Sequence, residues 1–180
     1  MQASEVLDLM RKRRTVRKFK SDPVNDEVLQ ALLEAASVAP SRLDRRPLHF
    51  VVIRDGRTKT KLAEALRVRP YIEQAPVVVA VCGSPSVSNT WELDASAAIE
   101  NMLLAATALG LGGAWVGSKG SVLWDDAVHA LRTATAIPGD VEIASLACFG
   151  YPDEAKRPYE PGEKQDASKV HYDHWDNLRV

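Results

Sequence analysis

Seven of the ten residues from Arg11 to Lys20 (Arg-Lys-Arg-Arg-Thr-Val-Arg-Lys-Phe-Lys) carry positive charge. The chain as a whole has 23 Lys and Arg against 24 Asp and Glu, so this charge is local and needs a local cause. One cause is a helix end, where basic side chains meet the negative pole of the dipole. That accounts for Arg11 and Lys12. The run Arg13-Arg14-Thr15-Val16-Arg17, however, also gathers three guanidinium groups and a hydroxyl within one short span. Guanidinium forks bind phosphate in bidentate fashion, and a hydroxyl adds a further donor. The residues alone leave two readings open, a solvated face or a site for a small phosphorylated ligand. Nucleic acid fits less well, because a formal net charge of −1 supplies no general field for a phosphate backbone.

Other chemistries find no support. Gly110-Leu111-Gly112-Gly113 follows a helical stretch and opens no βαβ unit, unlike a dinucleotide-binding loop. His171, His174, Cys82 and Cys148 lack zinc-ligand spacing. There is no Gly-x-Ser-x-Gly elbow, neither cysteine has the electropositive neighbours of a nucleophile, and no carboxylates are paired for acid–base work. A protein with phosphate-binding groups and no catalytic side chain of its own leaves the chemistry to a cofactor.

The elements that must position these groups can be read in order. At 180 residues the chain is expected to form one domain with a sizeable core. A helix from about Ser4, capped by that serine, delivers the basic stretch at its end. Pro23-Val24-Asn25 opens a second helix, which stops near Ala39 because Pro40 excludes its predecessor from helical geometry. The loop Pro40–Pro47 leads into a strand, His49–Ile53. A polar helical stretch runs to Pro70, and Gln74-Ala75-Pro76 introduces a second strand, Val77–Cys82. The longest helix spans Trp91–Leu109, with Asn89 as cap and Glu92 three residues on. Apolar residues cover most of its circumference, which implies burial in a core or between subunits. A third strand (Ala114–Val116), a helix (Trp124–Leu131) and a fourth strand (Ile143–Phe149) complete the core. From Tyr151 the chain is polar, yet it ends in Val170-His171-Tyr172-Asp173-His174-Trp175, too aromatic for a free end. The cysteines lie in apolar runs, as in a protein kept reduced. No signal-peptide h-region is visible and no apolar run approaches ~18 residues, so a cytoplasmic protein without a membrane span is expected.

These residues in this order resemble one family. Arg13-Arg14-Thr15-Val16-Arg17-Lys18-Phe19 is similar to the Arg-Arg-Ser-x-Arg-x-Phe signature of the FMN-dependent nitroreductases. Ala39-Pro40-Ser41-Arg42-Leu43-Asp44-Arg45-Arg46-Pro47 resembles their Ala-Pro-Ser-x-x-Asn-x-Gln-Pro loop. Asp94–Ala106, Gly110-Leu111-Gly112 and Trp115-Val116-Gly117 look like the central helix and the strand after it, and Phe149-Gly150-Tyr151-Pro152 the last core strand. Asp44 stands where the family has Asn, and Arg46 and Leu48 where it has Gln and Trp. The segment Ser84–Thr90 is short where larger members carry a helical insertion.

The resemblance implies an α+β fold with a mainly antiparallel sheet flanked by helices. It further implies residues 1–180 as one FMN-binding domain, with 151–180 as a tail that wraps the partner of an intertwined homodimer. Arg13, Arg14 and Thr15 would hold the FMN phosphate or ribityl chain, with Lys164 where many short members place an Arg. Arg17 would stabilise the reduced flavin electrostatically at its pyrimidine edge. Pro40, Ser41 and Asp44 would come from the other subunit, and the backbone of Trp115, Val116 and Gly117 would face the flavin ring. The implied activity is transfer of reducing equivalents from NADH or NADPH, through FMN, to a small acceptor such as a nitroaromatic or quinone, in two half-reactions. The alternative is a flavin-binding or sensor protein without efficient turnover.

Overall fold

The chain alternates β-branched runs with amphipathic stretches, and it folds into one twisted sheet covered by helices on both faces. The computed structural model describes residues 3–67, 70–117, 119–175 and 177–178. Four strands, β1 (Leu48–Ile53), β2 (Val77–Gly83), β3 (Gly112–Val116) and β4 (Glu142–Gly150), lie in the order β1-β2-β4-β3, every neighbouring pair antiparallel. Every residue of β2 is buried, as its Val-Val-Val-Ala-Val-Cys run requires of a central strand with both faces covered. A register shift at Val81/Cys82 interrupts its pairing with β4.

Side chains alternate across the pleat and divide the core in two. Val78, Ala80, Cys82, Cys148, Ala114 and Val116 face a layer of three helices, α3 (Gly56–Ala65), α4 (Pro70–Gln74) and α6 (Trp124–Thr135), which contribute Leu62, Ile72, Trp124 and Leu131. Val77, Val79, Val81, Ala147 and Phe149 face the opposite layer. There α2 (Asp26–Ser37) and α5 (Trp91–Ala108) supply Leu29, Leu32, Ala98, Ile99 and Met102. This is the expected α+β architecture. Among the described residues, no helix is long and apolar enough to cross a membrane.

Asn25 caps α2 by accepting from the Val28 N–H at 2.8 Å, and Asp55 caps α3 by accepting from the Thr58 N–H at 2.8 Å. Two expected caps are corrected. The first helix, α1 (Ala3–Lys12), begins before Ser4, so that serine lies inside it. Asn89 does not cap α5; Thr90 occupies that position without a side-chain bond. Asn89 Oδ1 instead accepts from Arg42 Nη1 at 2.6 Å, and Glu92 pairs with Lys119. A charge-assisted bond outweighs a neutral capping bond.

The apolar circumference of α5 is covered on one side only. Its inner residues are buried, whereas Leu93 is 70% exposed and Leu109 is also exposed. The helix α1 has no buried residue, and its Leu7 and Met10 are exposed. The tail from Asp166 to Trp175 is exposed apart from His171, whose ring stacks on Trp175 at 4.4 Å. The expected wrapping tail also includes residues 176, 179 and 180, which lie outside the described residues.

Candidate cofactor site

The basic stretch leaves α1 at Lys12 and continues as an extended segment along the outer edge of β3. Thr15 bridges to Gly113 in parallel, and the Val16 N–H donates to the Gly113 carbonyl at 3.0 Å. Val16 and Phe19 are buried and anchor the segment. A Cβ on Gly112 would lie 2.6 Å from that of Val16, so only glycine lets the two backbones approach. Farther on, the Lys20 N–H donates to the Tyr151 carbonyl, and the Arg17 and Lys18 N–H groups donate to Glu154 Oε1 at 2.6 and 3.3 Å. The Arg17 peptide N–H in particular holds the Glu154 carboxyl below its ordinary range.

With the backbone pinned, the three arginines are directed to three places. Arg13 Nε lies 3.5 Å from Glu100 Oε1 on α5. The Arg14 guanidinium sits 4.1 Å above the Tyr159 ring and donates to the Arg157 carbonyl. Arg17 reaches toward Tyr71 of α4, 5.8 Å from its ring centroid, so it does not join Arg13 beside α5.

Glu92, Ser96 and Glu100 recur every four residues on the exposed side of α5. Lys119 Nζ is 2.9 Å from Glu92 at one end of this row, and Arg13 meets Glu100 at the other. Beside the row, Trp115 helps line a cavity of about 120 Å³ with Ala95, Ser96, Ile99 and Ser145. Because the Gly113 carbonyl faces Val16, the antiparallel alternation also turns the N–H and C=O of Trp115 away from β4, toward the open edge. Gly117 ends the strand with φ 64°, and a Cβ there would lie 2.6 Å from the Trp124 ring. The Ser145 hydroxyl fixes this turn, lying 3.1 Å from the Val116 carbonyl and 2.6 Å from that of Gly117.

Pro40, Ser41 and Asp44 lie elsewhere. Pro40 and Ser41 line a cavity of about 270 Å³ with Ala36, Arg46, Pro47 and Phe50, none of them from the basic stretch or β3. Three non-glycine residues of this loop, Leu43, Asp44 and Arg46, adopt left-handed conformations (φ 54°, 53° and 50°). Such backbones cost on the order of 1 kcal/mol each and persist only where the surroundings impose them. Here Ser41 Oγ accepts from the Arg46 N–H, and the Arg46 guanidinium grips both Asp44 oxygens at 2.8 and 2.9 Å. Arg42 and Arg45 brace the loop against Asn89 and the Val87 carbonyl. The bond from Arg46 holds the Asp44 carboxyl below its ordinary range.

The polar tail brings Lys164 back to the basic stretch. Lys164 Nζ is 5.0 Å from the centroid of the same Tyr159 ring that carries Arg14. Glu163 closes the turn by accepting from Arg157 Nη1 at 2.7 Å and from the Glu160 N–H at 2.9 Å. No cluster of His, Cys, Asp and Glu able to hold a metal occurs among the described residues.

Comparison with known proteins gives this arrangement a lineage. The model of the Nitroreductase family matches residues 10–82 and 69–151. A protein of Archaeoglobus fulgidus, provisionally named NADH dehydrogenase/NAD(P)H nitroreductase, is 33% identical over 95% of this chain and 99% of its own. The chain belongs to the Nitroreductase family. A crystal structure under the same provisional name, from Bacteroides thetaiotaomicron, matches with a TM-score of 0.87 and 33% identity, over 96% of this chain and 99% of that one. A Desulfovibrio desulfuricans protein provisionally called a nitroreductase, solved in complex with FMN, matches at a TM-score of 0.74 and 31% identity, covering 85% and 91%.

Within this chain, sequence reading missed Tyr159, Lys119 and Ser145. Tyr159 is the one aromatic residue between 153 and 168, and that isolation was a usable signal. The turn around it has a testable electrostatic signature. Arg157 first, then the Glu160 N–H, lowers the Glu163 carboxyl from 4.5 to about 2. A lowered carboxyl stabilises the folded turn above its unfolded pKa and loses that contribution as pH falls. The turn is therefore expected to hold at pH 5 and to loosen progressively between 4.5 and about 2. Carbon-detected NMR titration of Glu163 should give a midpoint near 2; a midpoint at 4.5 would mean that the ion pair does not form.

Proposed function

We propose that this nitroreductase is an FMN-dependent NAD(P)H oxidoreductase that works as a homodimer. The observation that carries this reading is the pairing of Arg14 and Lys164 at Tyr159, with Arg13 and the open β3 edge on the adjoining α5 face. Neither Arg14 nor Lys164 is in a contact ion pair among the described residues; Glu163 feels the charge of Lys164 without pairing with it, which leaves both cations donors for a phosphate. Arg14 uses one of five N–H donors on Arg157. These groups fit a phosphate monoester, and the free peptide edge at Trp115 fits a flat heterocycle with donors and acceptors on its rim.

Arg13, Arg14, Thr15 and Lys164 would hold the phosphate and ribityl chain. Trp115, Val116 and Gly117 would border the ring, with the turn at Gly117 fixed by Ser145. Bound FMN would take hydride from NADH or NADPH and pass the electrons to a small acceptor such as a nitroaromatic or quinone. The side chains orient and balance charge; no catalytic acid or base is assigned.

A second copy supplies what one chain leaves out. Pro40, Ser41 and Asp44 lie apart from the cationic cluster, so the partner's loop would complete each site. The open side of α5, the bare apolar face of α1 and the exposed aromatic tail would be covered by the same association. Arg17, now over Tyr71, would serve the pyrimidine edge by swinging across.

Purified protein should carry FMN and oxidise NADH or NADPH in the presence of menadione or nitrofurazone. Absence of flavin after FMN reconstitution would defeat the proposal, whereas bound FMN without turnover would make this a flavin-carrying binding protein. Asp44→Asn should raise the midpoint potential of bound FMN only slightly, because Arg46 already engages the carboxylate. Spectroelectrochemistry checks this, and a potential that stays put or falls would show that Asp44 is turned away from the flavin or already neutralised.

A further inference from the structure

Arg14 and Lys164 come from opposite ends of the chain, yet both hold their charge against one aromatic ring. Like charges against one ring repel each other, and neither side chain sits in an ion pair among the described residues, although the Glu163 carboxylate is near enough to Lys164 to feel its charge. The attraction comes from the ring, whose quadrupole presents negative density to a cation. Its place is fixed by the backbone. The Tyr159 N–H donates to the Arg11 carbonyl at 3.0 Å, which ties the ring to the end of α1. Arg157 and Glu163 brace the turn on either side of it. The Arg157 carbonyl also accepts from Arg14, so that guanidinium is held by one hydrogen bond and one ring.

We infer that Tyr159 is a positioning residue for the cofactor phosphate. Its ring gathers Arg14 and Lys164 into one anion-binding pair while leaving most of their donors free. The ring touches the cations and acts on the phosphate only through them. Its hydroxyl is not required, since the aromatic face does the holding. This inference rests on the FMN reading above.

The chemistry separates two flavins that differ only at the phosphate. FMN and riboflavin are titrated into the flavin-free wild-type dimer and into Tyr159→Leu and Tyr159→Phe, with flavin fluorescence as readout. Leucine fills similar space without a quadrupole, so FMN should bind roughly five- to thirtyfold more weakly, the span expected for one or two lost cation–ring contacts. Riboflavin should change by less than about twofold, because it has no phosphate for the cations to meet. Tyr159→Phe should restore FMN binding to within about threefold of wild type, because the ring is kept. Equal losses for both flavins would reveal a merely structural role, and unchanged FMN affinity in the leucine variant would remove the role altogether; either result overturns the inference. Should the leucine protein prove insoluble, Tyr159→Gln gives the same readout. A wild-type protein that holds FMN no tighter than riboflavin would instead defeat the phosphate assignment itself, so the two failures are distinguishable.

Discussion

Arg13→Ala weakens FMN binding by about ten- to a hundredfold and leaves the fold nearly as stable as before. The affinity loss follows from the size of one charge-assisted contact, about 1.5–3 kcal/mol where the partner is ionic. Arg13 is the residue of the basic stretch that meets α5, the helix that lines the Trp115 cavity. Its protein partner is a poor one, since Glu100 stands 3.5 Å away and is half exposed. An exposed ion pair of this kind contributes roughly 0–1 kcal/mol, and the stranded carboxylate can turn to water. The guanidinium is therefore retained at little benefit to folding, and a ligand phosphate explains its position better than Glu100 does. Titration of FMN into the flavin-free variant, beside a thermal melt, separates the two contributions. Unchanged affinity would sink the role of Arg13, and a large drop in melting temperature with no change in affinity would make the residue structural.

Much of this fold was legible because its strands are short and strongly patterned. The Val77–Cys82 and Ile143–Phe149 runs are β-branched or apolar at every buried position except Ser145, and they became β2 and β4. The Trp91–Leu109 helix was equally visible, and so was its excess of apolar surface. The cap of α5 was not. The segment before it offers Ser84, Ser86, Ser88, Asn89 and Thr90, any of which has capping chemistry, and the choice was made by Arg42, 47 positions away. The strained loop was invisible for a different reason. Left-handed backbone usually announces itself through glycine, and residues 43, 44 and 46 are Leu, Asp and Arg. Their conformations go with the local grip of Arg46 on Asp44 and the long-range bond from Arg42 to Asn89.

The site was legible in its parts and less so in its assembly. Spacing placed Arg13, Arg14 and Arg17 within one segment, which suggested a common target. The segment along β3 distributes them instead: successive residues of an extended chain point to opposite sides, which parts Arg13 from Arg14, and Arg17 lies farther along, where its N–H bonds Glu154. Arg13 meets α5, Arg14 meets the tail and Arg17 meets α4. Lys164 was named from a motif alone, and Tyr159 supplies the physical link that the motif lacked.

Deleting residues 166–180 lowers the melting temperature by on the order of 10 °C and releases FMN at dilutions where the full chain retains it. In a single chain the described residues of this segment bury almost nothing. Trp175 is 79% exposed, and Val170, Tyr172 and Leu178 are exposed as well. Its order is local, a ring stack between His171 and Trp175 and a bridge from His171 to Leu178. Apolar side chains of this size gain about 1.5–3 kcal/mol each when buried, so two docked on a second copy would contribute several kcal/mol. For a domain of this length each kcal/mol moves the midpoint by roughly 2–4 °C. FMN loss follows by linkage, because a site completed by the partner's loop binds cofactor only while both chains are together. Sedimentation equilibrium with and without FMN would follow the association directly. The single change Trp175→Ala should show a smaller effect in the same direction, without the loss of backbone that truncation brings. A truncated protein that remains a stable, flavin-loaded dimer would show that the tail does not embrace a partner.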